Sequence, residues 1–186
     1  MRREGSGSKF LAVRLNHHNY TALNAHRRKP NTIETPITKE KVAALVADAF
    51  QDSEYFLPKI ALQDQLGLDV EVISLKRDPI EIYSNFLRQI NDQKKLVASI
   101  CRGSLLVAKS VIAKGRHLTG FHLDKEFPDL VIRPIVEASG GIWSDDSPVV
   151  VDGNLVSSRH PNDIEHFVGG IRSWLSQQSN SKTNLK

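Results

Sequence analysis

Short strand-forming runs alternate along this chain with stretches whose apolar residues recur at helical spacing. The strand-forming runs lie at residues 42–47, 70–73 and 96–100, and the helical stretches occupy 53–66 and 79–93. Short apolar runs of this kind are typical of parallel strands that are covered on both faces. Their alternation with helices predicts an α/β fold, a mostly parallel sheet between two helical layers.

The second half of the chain continues the same pattern. Apolar spacing predicts helices over residues 104–114, 127–138 and 161–175. Residues 149–158 predict a hairpin, because two valine-rich or serine-rich arms flank an Asp-Gly pair, which favours a tight turn.

Charge is distributed unevenly between the start of the chain and the rest. Residues 1–40 hold eight Lys or Arg and three acidic residues, so they carry +5 of a total net charge of +4, and the remainder is close to neutral. We therefore predict a disordered basic arm at 1–38, one folded domain at 41–177 and a polar tail at 178–186. Nucleic-acid binding is not predicted, because it normally needs a basic face on the folded domain itself.

Cysteine content and hydropathy bear on the compartment. The chain has one cysteine, which cannot form an internal disulfide and suits a reducing, cytoplasmic environment. No apolar run reaches the roughly 20 residues that a membrane-spanning helix needs, so no membrane association is predicted. The Arg-rich, acid-poor start has the character of an organelle import sequence, and an extension without any address fits it equally well.

The single cysteine, Cys101, follows the predicted strand 96–100 directly and precedes Arg102, Gly103 and a predicted helix. A sharp strand-to-helix turn lifts a side chain to the carboxyl edge of the sheet, where α/β proteins bind ligands. The start of a helix favours the thiolate, and Gly103 allows a close approach of backbone or substrate. The alternative is an inert buried cysteine, but strand, turn, glycine and helix together favour a nucleophile elbow.

Several segments resemble the ThiJ/PfpI family, the superfamily of the Parkinson-associated deglycase. The segments are 98–103 at the elbow, 114–120, the hairpin with its following arginine at 149–159, and 46–54, which resembles the first strand and active-site turn. The resemblance covers roughly residues 41–175. It implies a flavodoxin-like three-layer sandwich and a homo-oligomer, with cysteine-peptidase-like, glyoxalase-type or protein-deglycase activity.

Three departures from the family pattern bear on activity. Arg102 stands where the family elbow has histidine, and Gln51 stands where it has a glutamate that bonds the cysteine. An amide cannot perform the acid–base chemistry of a carboxylate. Between residues 73 and 78 the chain also lacks a hairpin and an inner strand ending in Pro-Gly-Gly, which in the family helps to build the oxyanion hole. We therefore expect weakened catalysis, or a truncated inactive product.

His160 is the residue we expect to act as base toward Cys101. It precedes a proline after the last strand, as the His-Pro-Glu histidine of class I glutamine amidotransferases does in a similar layout. Asn162, Glu165 or Gln51 would orient it. The alternative is a loop histidine that faces solvent.

Other side chains are expected around the pocket. Those predicted to line it or to hold an oxyanion are Arg102, Gly103, Glu54, Phe121, His122 and Arg159. For the two arginines the alternative is an ordinary ion pair with Glu54 or Asp163. Neither a metal nor another cofactor is predicted, because no ligand spacing relates His117, His122, His160 and His166.

These observations lead to one functional hypothesis and two alternatives. The hypothesis is a cysteine-dependent hydrolase or lyase that acts on a small carbonyl compound or glycated substrate through Cys101. The first alternative is a non-catalytic redox-sensing or chaperone-like module that uses the same thiol. The second is the truncated inactive product.

Overall fold

A computed structural model of the chain describes residues 9–15, 41–47, 52–75, 80–121, 132–145 and 147–183. Its strands are β1 (Lys9–Leu15), β2 (Lys41–Ala47), β3 (Asp69–Leu75), β4 (Val97–Cys101), β5 (His117–Leu118), β6 (Ile142–Trp143), β7 (Val149–Asp152) and β8 (Leu155–Ser158). Its helices are α1 (Asp52–Asp64), α2 (Ile80–Asp92), α3 (Ser104–Lys109), α4 (Arg133–Ala138) and α5 (Ile164–Thr183), and a 3₁₀ turn at Pro161–Asp163 precedes α5.

The main sheet has six strands in the order β3-β2-β1-β4-β8-β7. Strand β2 is parallel to β3 and β4 is parallel to β8, whereas β1 is antiparallel to both of its neighbours and β7 is antiparallel to β8. Strands β2, β3, β4 and β8 therefore all run in one direction. The α/β fold with a mostly parallel sheet is confirmed, and β5 and β6 form a separate parallel pair.

Helices cover both faces of this sheet. Side chains alternate along each strand, so one strand contributes to the apolar cores on both faces. On β2, Ala43 and Leu45 belong to one apolar core and Val42 and Ala44 belong to the other. The first core is completed by helices α2, α3 and α4, and the second by α1 and α5. The result is the three-layer arrangement expected of a flavodoxin-like fold.

Strand β1 differs from the prediction for its part of the chain. Residues 1–38 were expected to be disordered, but Lys9–Leu15 forms a central strand between β2 and β4. Ala12 pairs with Ala44 on one side and with Ala98 on the other. An apolar segment can pair in this way because the two neighbouring strands each offer an unpaired edge. The other residues of the arm lie outside the described part of the chain.

Helix α3 is shorter than the predicted helix at 104–114, since it ends at Lys109. Val111 has a φ of 63° and Gly115 has a φ of 71°. A left-handed residue cannot continue a right-handed helix, so the chain passes through turns instead. In α4, Pro134 lies in the first turn, where its missing N–H has no helical partner to lose, and it does not interrupt the helix.

Helix α5 continues to Thr183, beyond the predicted end at residue 175 and into the segment predicted to be a polar tail. No glycine or proline occurs at 176–183 to stop it. Within the described ranges, no helix combines the length and the apolar character that crossing a bilayer requires.

Candidate functional site

Cys101 is the last residue of β4 and lies at the predicted strand-to-helix elbow. Its φ is 55°, in the left-handed region that residues with a side chain rarely adopt. The N–H of Gly103 donates to the carbonyl oxygen of Ile100 over 2.9 Å, and α3 begins at Ser104. The local sequence thus folds as a sharp turn with the cysteine at its corner.

The left-handed turn also changes the face on which the thiol lies. Strand alternation places Val97 in one core and Ala98 and Ile100 in the other. Continued alternation would return residue 101 to the first core, but Cys101 packs in the same core as Ile100. Only 4% of Cys101 is exposed, so the thiol lies under apolar side chains and not above the edge as expected.

The segment that follows β5 closes over the elbow. The N–H of Phe121 donates to the carbonyl oxygen of Cys101 over 3.2 Å. A Cβ on residue 120 would lie 2.9 Å from that same oxygen and 2.6 Å from Cδ1 of Ile132. Only glycine fits at position 120, and its absent side chain lets the segment reach the cysteine backbone.

The two predicted arginines have different surroundings. The guanidinium of Arg102 lies over the ring of Phe121, 5.2 Å from the ring centroid. Arg159 donates to Asp163 from Nε and Nη2 over 3.1 and 3.2 Å, a two-pronged ion pair. Arg159 therefore has the ordinary ion pair that was its alternative, and Arg102 joins Phe121 beside the elbow.

His160 lies at the same edge of the sheet as Cys101, because Ser158 of β8 pairs with Ile100 of β4. Its Nδ1 accepts the N–H of Asn162 over 3.2 Å and so caps the 3₁₀ turn. A nitrogen that accepts carries no proton, so the neutral ring holds its proton on Nε2. Acceptance of the thiol proton at Nε2 requires the other tautomer, which forms when this exposed bond is released.

Three predicted site residues lie wholly or partly outside the described structure. Gln51 and His122 are outside the described residues, and Glu54 is described only as part of the backbone of α1. Gly103 is placed at the elbow as predicted. Within the described ranges, no three His, Cys, Asp or Glu side chains are grouped to hold a metal ion.

Sequence reasoning missed Gly120 and a set of buried hydroxyls beneath the elbow. The hydroxyl-bearing residues with no exposed surface next to the elbow are Ser99, Ser104, Thr119, Ser157 and Ser158. Serines inside the strand runs at 96–100 and 155–158 were a signal, because a buried polar side chain needs a hydrogen-bond partner.

A cleft of about 640 Å³ lies away from the elbow, beside the β7–β8 turn. Arg116 in its wall donates from Nη1 to Asn91 and Asn154 over 3.2 and 3.0 Å and lies 3.6 Å from Asp152. These contacts hold the hairpin against the end of α2. The lining of this cleft does not include Cys101 or its neighbours.

Comparison with known proteins identifies relatives of the chain. A model of the DJ-1/PfpI family matches residues 80–172. An uncharacterized protein of Archaeoglobus fulgidus is 32% identical over 118 residues, which are 60% of this chain and 62% of that protein. Deglycase TK1284 of Thermococcus kodakarensis is 29% identical over 163 residues, covering 67% of this chain and 92% of the relative. Deglycase PfpI of Pyrococcus furiosus is 35% identical over 98 residues, covering 53% and 51%.

Solved structures show the same fold. A two-domain protein of Anabaena variabilis with DJ-1/ThiJ/PfpI-like and ferritin-like domains has a TM-score of 0.61 at 24% identity, over 73% of this chain and 50% of that one. Drosophila melanogaster DJ-1beta has a TM-score of 0.54 at 20% identity, over 67% and 83%. At such identities the likeness concerns the fold alone.

Proposed function

The chain belongs to the DJ-1/PfpI family, and from that premise we propose a cysteine-dependent hydrolase or lyase of small carbonyl compounds, with Cys101 as nucleophile. The observation that carries the proposal is the φ of 55° at Cys101, between β4 and α3. Left-handed strain costs roughly 1–3 kcal/mol and persists where its surroundings hold it, commonly at active sites. The names of two relatives, which call them deglycases, support carbonyl adducts as substrates.

Because only 4% of Cys101 is exposed, the proposed chemistry requires local opening of the side chains that cover it, after which its thiolate adds to an aldehyde carbon. A sulfur–carbon bond forms, the carbonyl electron pair moves to oxygen, and that oxygen takes a proton to give a hemithioacetal. On an α-oxoaldehyde, the carbon that bears the sulfur then loses a proton, the hydroxyl proton moves to the neighbouring carbonyl oxygen, and a proton is added to the neighbouring carbon, which gives a thioester. Water cleaves the thioester and releases a hydroxy acid and the thiol, so water is the only reagent consumed.

We propose that this activity is weaker than that of an enzyme with a complete oxyanion hole and acid–base pair. Gln51 cannot exchange a proton as a glutamate does. Arg102 lies over the ring of Phe121. It stands at the elbow position where the family pattern has histidine. The loss of one oxyanion donor typically lowers turnover by about 100- to 1000-fold.

One observation favours the second candidate, a redox-sensing or chaperone-like module without turnover. His160 uses Nδ1 to cap its own loop and, when neutral, presents Nε2–H toward its surroundings. In this bonded form Nε2 is a donor, whereas the proposed enzyme needs an acceptor for the thiol proton. The base role of His160 and the cap role predict different results when the residue is replaced.

The decisive experiment measures consumption of methylglyoxal, a small α-oxoaldehyde, by the full chain and two variants. Cys101→Ser is expected to lower the rate by about 10³-fold or more, since it removes the nucleophile, while the thermal transition is retained. His160→Asn keeps an oxygen that can cap the turn but removes the imidazole, so a loss of rate at unchanged stability identifies a base.

A wild-type rate no greater than that of Cys101→Ser would exclude the proposed enzymatic activity. Reversible sulfenic acid at Cys101 after mild peroxide, seen by mass, would then favour the redox module.

We also propose an oligomeric state and a cellular location for the protein. We expect a homo-oligomer, supported by large apolar side chains exposed on α1, among them Phe56, Leu57 and Ile60. The single cysteine supports a cytoplasmic, reducing location.

A further inference from the structure

Four fully buried hydroxyl-bearing residues link the elbow to the surrounding elements. Ser99 comes from β4, Ser104 is the first residue of α3, Thr119 follows β5, and Ser157 comes from β8. None of the four has exposed surface. Because an unpaired buried hydroxyl is costly, the bonds that the three serine hydroxyls make to one another and to the Thr119 backbone determine how the four elements fit together.

The peptide units flanking Thr119 are held on both sides. The hydroxyl of Ser104 donates to the carbonyl oxygen of Thr119 over 2.8 Å, and the N–H of Thr119 donates to Oγ of Ser157 over 2.9 Å. Oγ of Ser104 also lies 2.9 Å from Oγ of Ser99. Since the one proton of Ser104 is directed to Thr119, the hydroxyl of Ser99 is the donor in that pair.

The hydrogen-bonded hydroxyl cluster is connected to Cys101 through Gly120 and Phe121, the two residues after Thr119. Gly120 packs without room for a side chain against the carbonyl oxygen of Cys101 and against Cβ of Ser104, at 2.9 and 3.0 Å from an ideal Cβ position. Phe121 then donates its N–H to that carbonyl oxygen. Ser104 thus supports the elbow from two directions, as part of α3 and through residues 119–121.

We propose that Ser104 is a positioning residue for the Cys101 thiol, acting through Thr119, Gly120 and Phe121 to keep the cysteine in its left-handed conformation. It touches no reacting atom, so its effect on turnover follows from where it holds the sulfur. That effect on turnover rests on the proposed function, whereas its effect on the position of the thiol does not.

A matched control lies within the same cluster. Oγ1 of Thr119 is buried and has no hydrogen-bond partner among the described residues. Thr119→Val therefore removes a hydroxyl that bonds to no residue in the described part of the chain, whereas Ser104→Ala removes one with two partners. A second control is Ile171→Val in α5, which removes one methylene from the apolar core that also contains Cys101 but removes no hydroxyl.

The test uses iodoacetamide, which reports only on Cys101 because the chain has no other cysteine. Cys101 is 4% exposed in the native elbow, so loosening it increases access to the sulfur. Ser104→Ala is expected to alkylate about tenfold faster, as loss of one or two hydrogen bonds implies, while Thr119→Val and Ile171→Val stay within about twofold of the wild type. With methylglyoxal, kcat falls about tenfold and KM is unchanged, since substrate binding is not touched.

Each outcome decides a separate question. Alkylation of Ser104→Ala at the wild-type rate, or an equal acceleration in Thr119→Val, overturns the positioning role even if the wild type turns over substrate. A wild type without turnover overturns the proposed function, and the alkylation rates still decide the positioning role. If Ser104→Ala does not fold, Ser157→Ala releases the N–H of Thr119 instead and is expected to change alkylation in the same direction.

Discussion

At the scale of single residues, the conformation of Cys101 depends on a neighbour that has no side chain. Gly120 lies against the cysteine carbonyl oxygen, against Ile132 and against Ser104. Two of these contacts would be shorter than 3.0 Å for a Cβ, and one of them is to backbone, which cannot turn aside as a flexible side chain does. The fit at position 120 is therefore a requirement of the elbow.

Gly120→Ala is expected to destabilise the protein by about 1–3 kcal/mol, because the added methyl forces the elbow and Ile132 apart. Chemical denaturation followed by circular dichroism measures this change. Iodoacetamide should also reach Cys101 faster in this variant, for the reason given for Ser104.

Gly169→Ala provides the matched control. Gly169 lies inside α5, and a Cβ there would meet nothing within 4 Å. Alanine in a helix interior is favoured over glycine by roughly 0.5–1 kcal/mol, so this variant is expected to be more stable than the wild type. Equal stability changes at the two positions would show that position 120 is not constrained by the elbow.

At the scale of elements, β1 decides whether the sheet is continuous. The connection between residues 73 and 78 is too short for the inner strand that the family resemblance implies. Without that strand, the sheet would have a gap beside the elbow strand β4. Strand β1 lies between β2 and β4 and pairs with both, with Lys9 opposite Cys101. A segment from the start of the chain thus completes the sheet at the site.

Hydrogen exchange tests this placement without any substitution. Amides of 10–14 are expected to exchange about tenfold or more slowly than those of the edge strands β3 and β7, because a central strand is paired along both sides. Mass spectrometry of peptic fragments gives the rates. If the amides of 10–14 exchange within seconds, at the rate of an unstructured peptide, this segment belongs to the predicted disordered arm and not to the sheet.

At the scale of the whole molecule, helix α1 and the edge strand β3 carry exposed apolar side chains. Phe56, Leu57 and Ile60 of α1 are 47%, 46% and 51% exposed, and Val72 on the edge strand β3 is 37% exposed. Large apolar side chains grouped on one element are typical of an interface between proteins. We assign this surface to contact with a second copy, as part of the proposed homo-oligomer.

Ile60→Glu is expected to lower the mass of the particle in solution, because a buried charge opposes association. Light scattering after size exclusion measures the mass. Ile135→Glu on α4, where the isoleucine is 41% exposed on the opposite layer, is the control and should leave the mass unchanged. Neither substitution should change the stability of the subunit by more than about 0.5 kcal/mol. An unchanged mass for Ile60→Glu would exclude α1 as the interface.

The sequence by itself determined the features that depend on local spacing. Helix α2, the hairpin of β7 and β8, and the strand that leads into Cys101 lie close to where periodicity and the Asp-Gly pair predict them. Each of these depends on residues a few positions apart, since helices repeat every 3.6 residues and strands every two. The elbow could be predicted for the same reason.

Only the tertiary structure decided the features that join distant parts of the chain. Strand β1 pairs with partners more than 25 residues away, and Ser104 meets Thr119 across a helix and a turn. The fit of Gly120 likewise depends on Cys101, Ser104 and Ile132, which no periodicity relates to it. Long-range pairing follows from which edges and buried polar atoms remain unsatisfied after the local elements have formed, and spacing along the chain does not encode that.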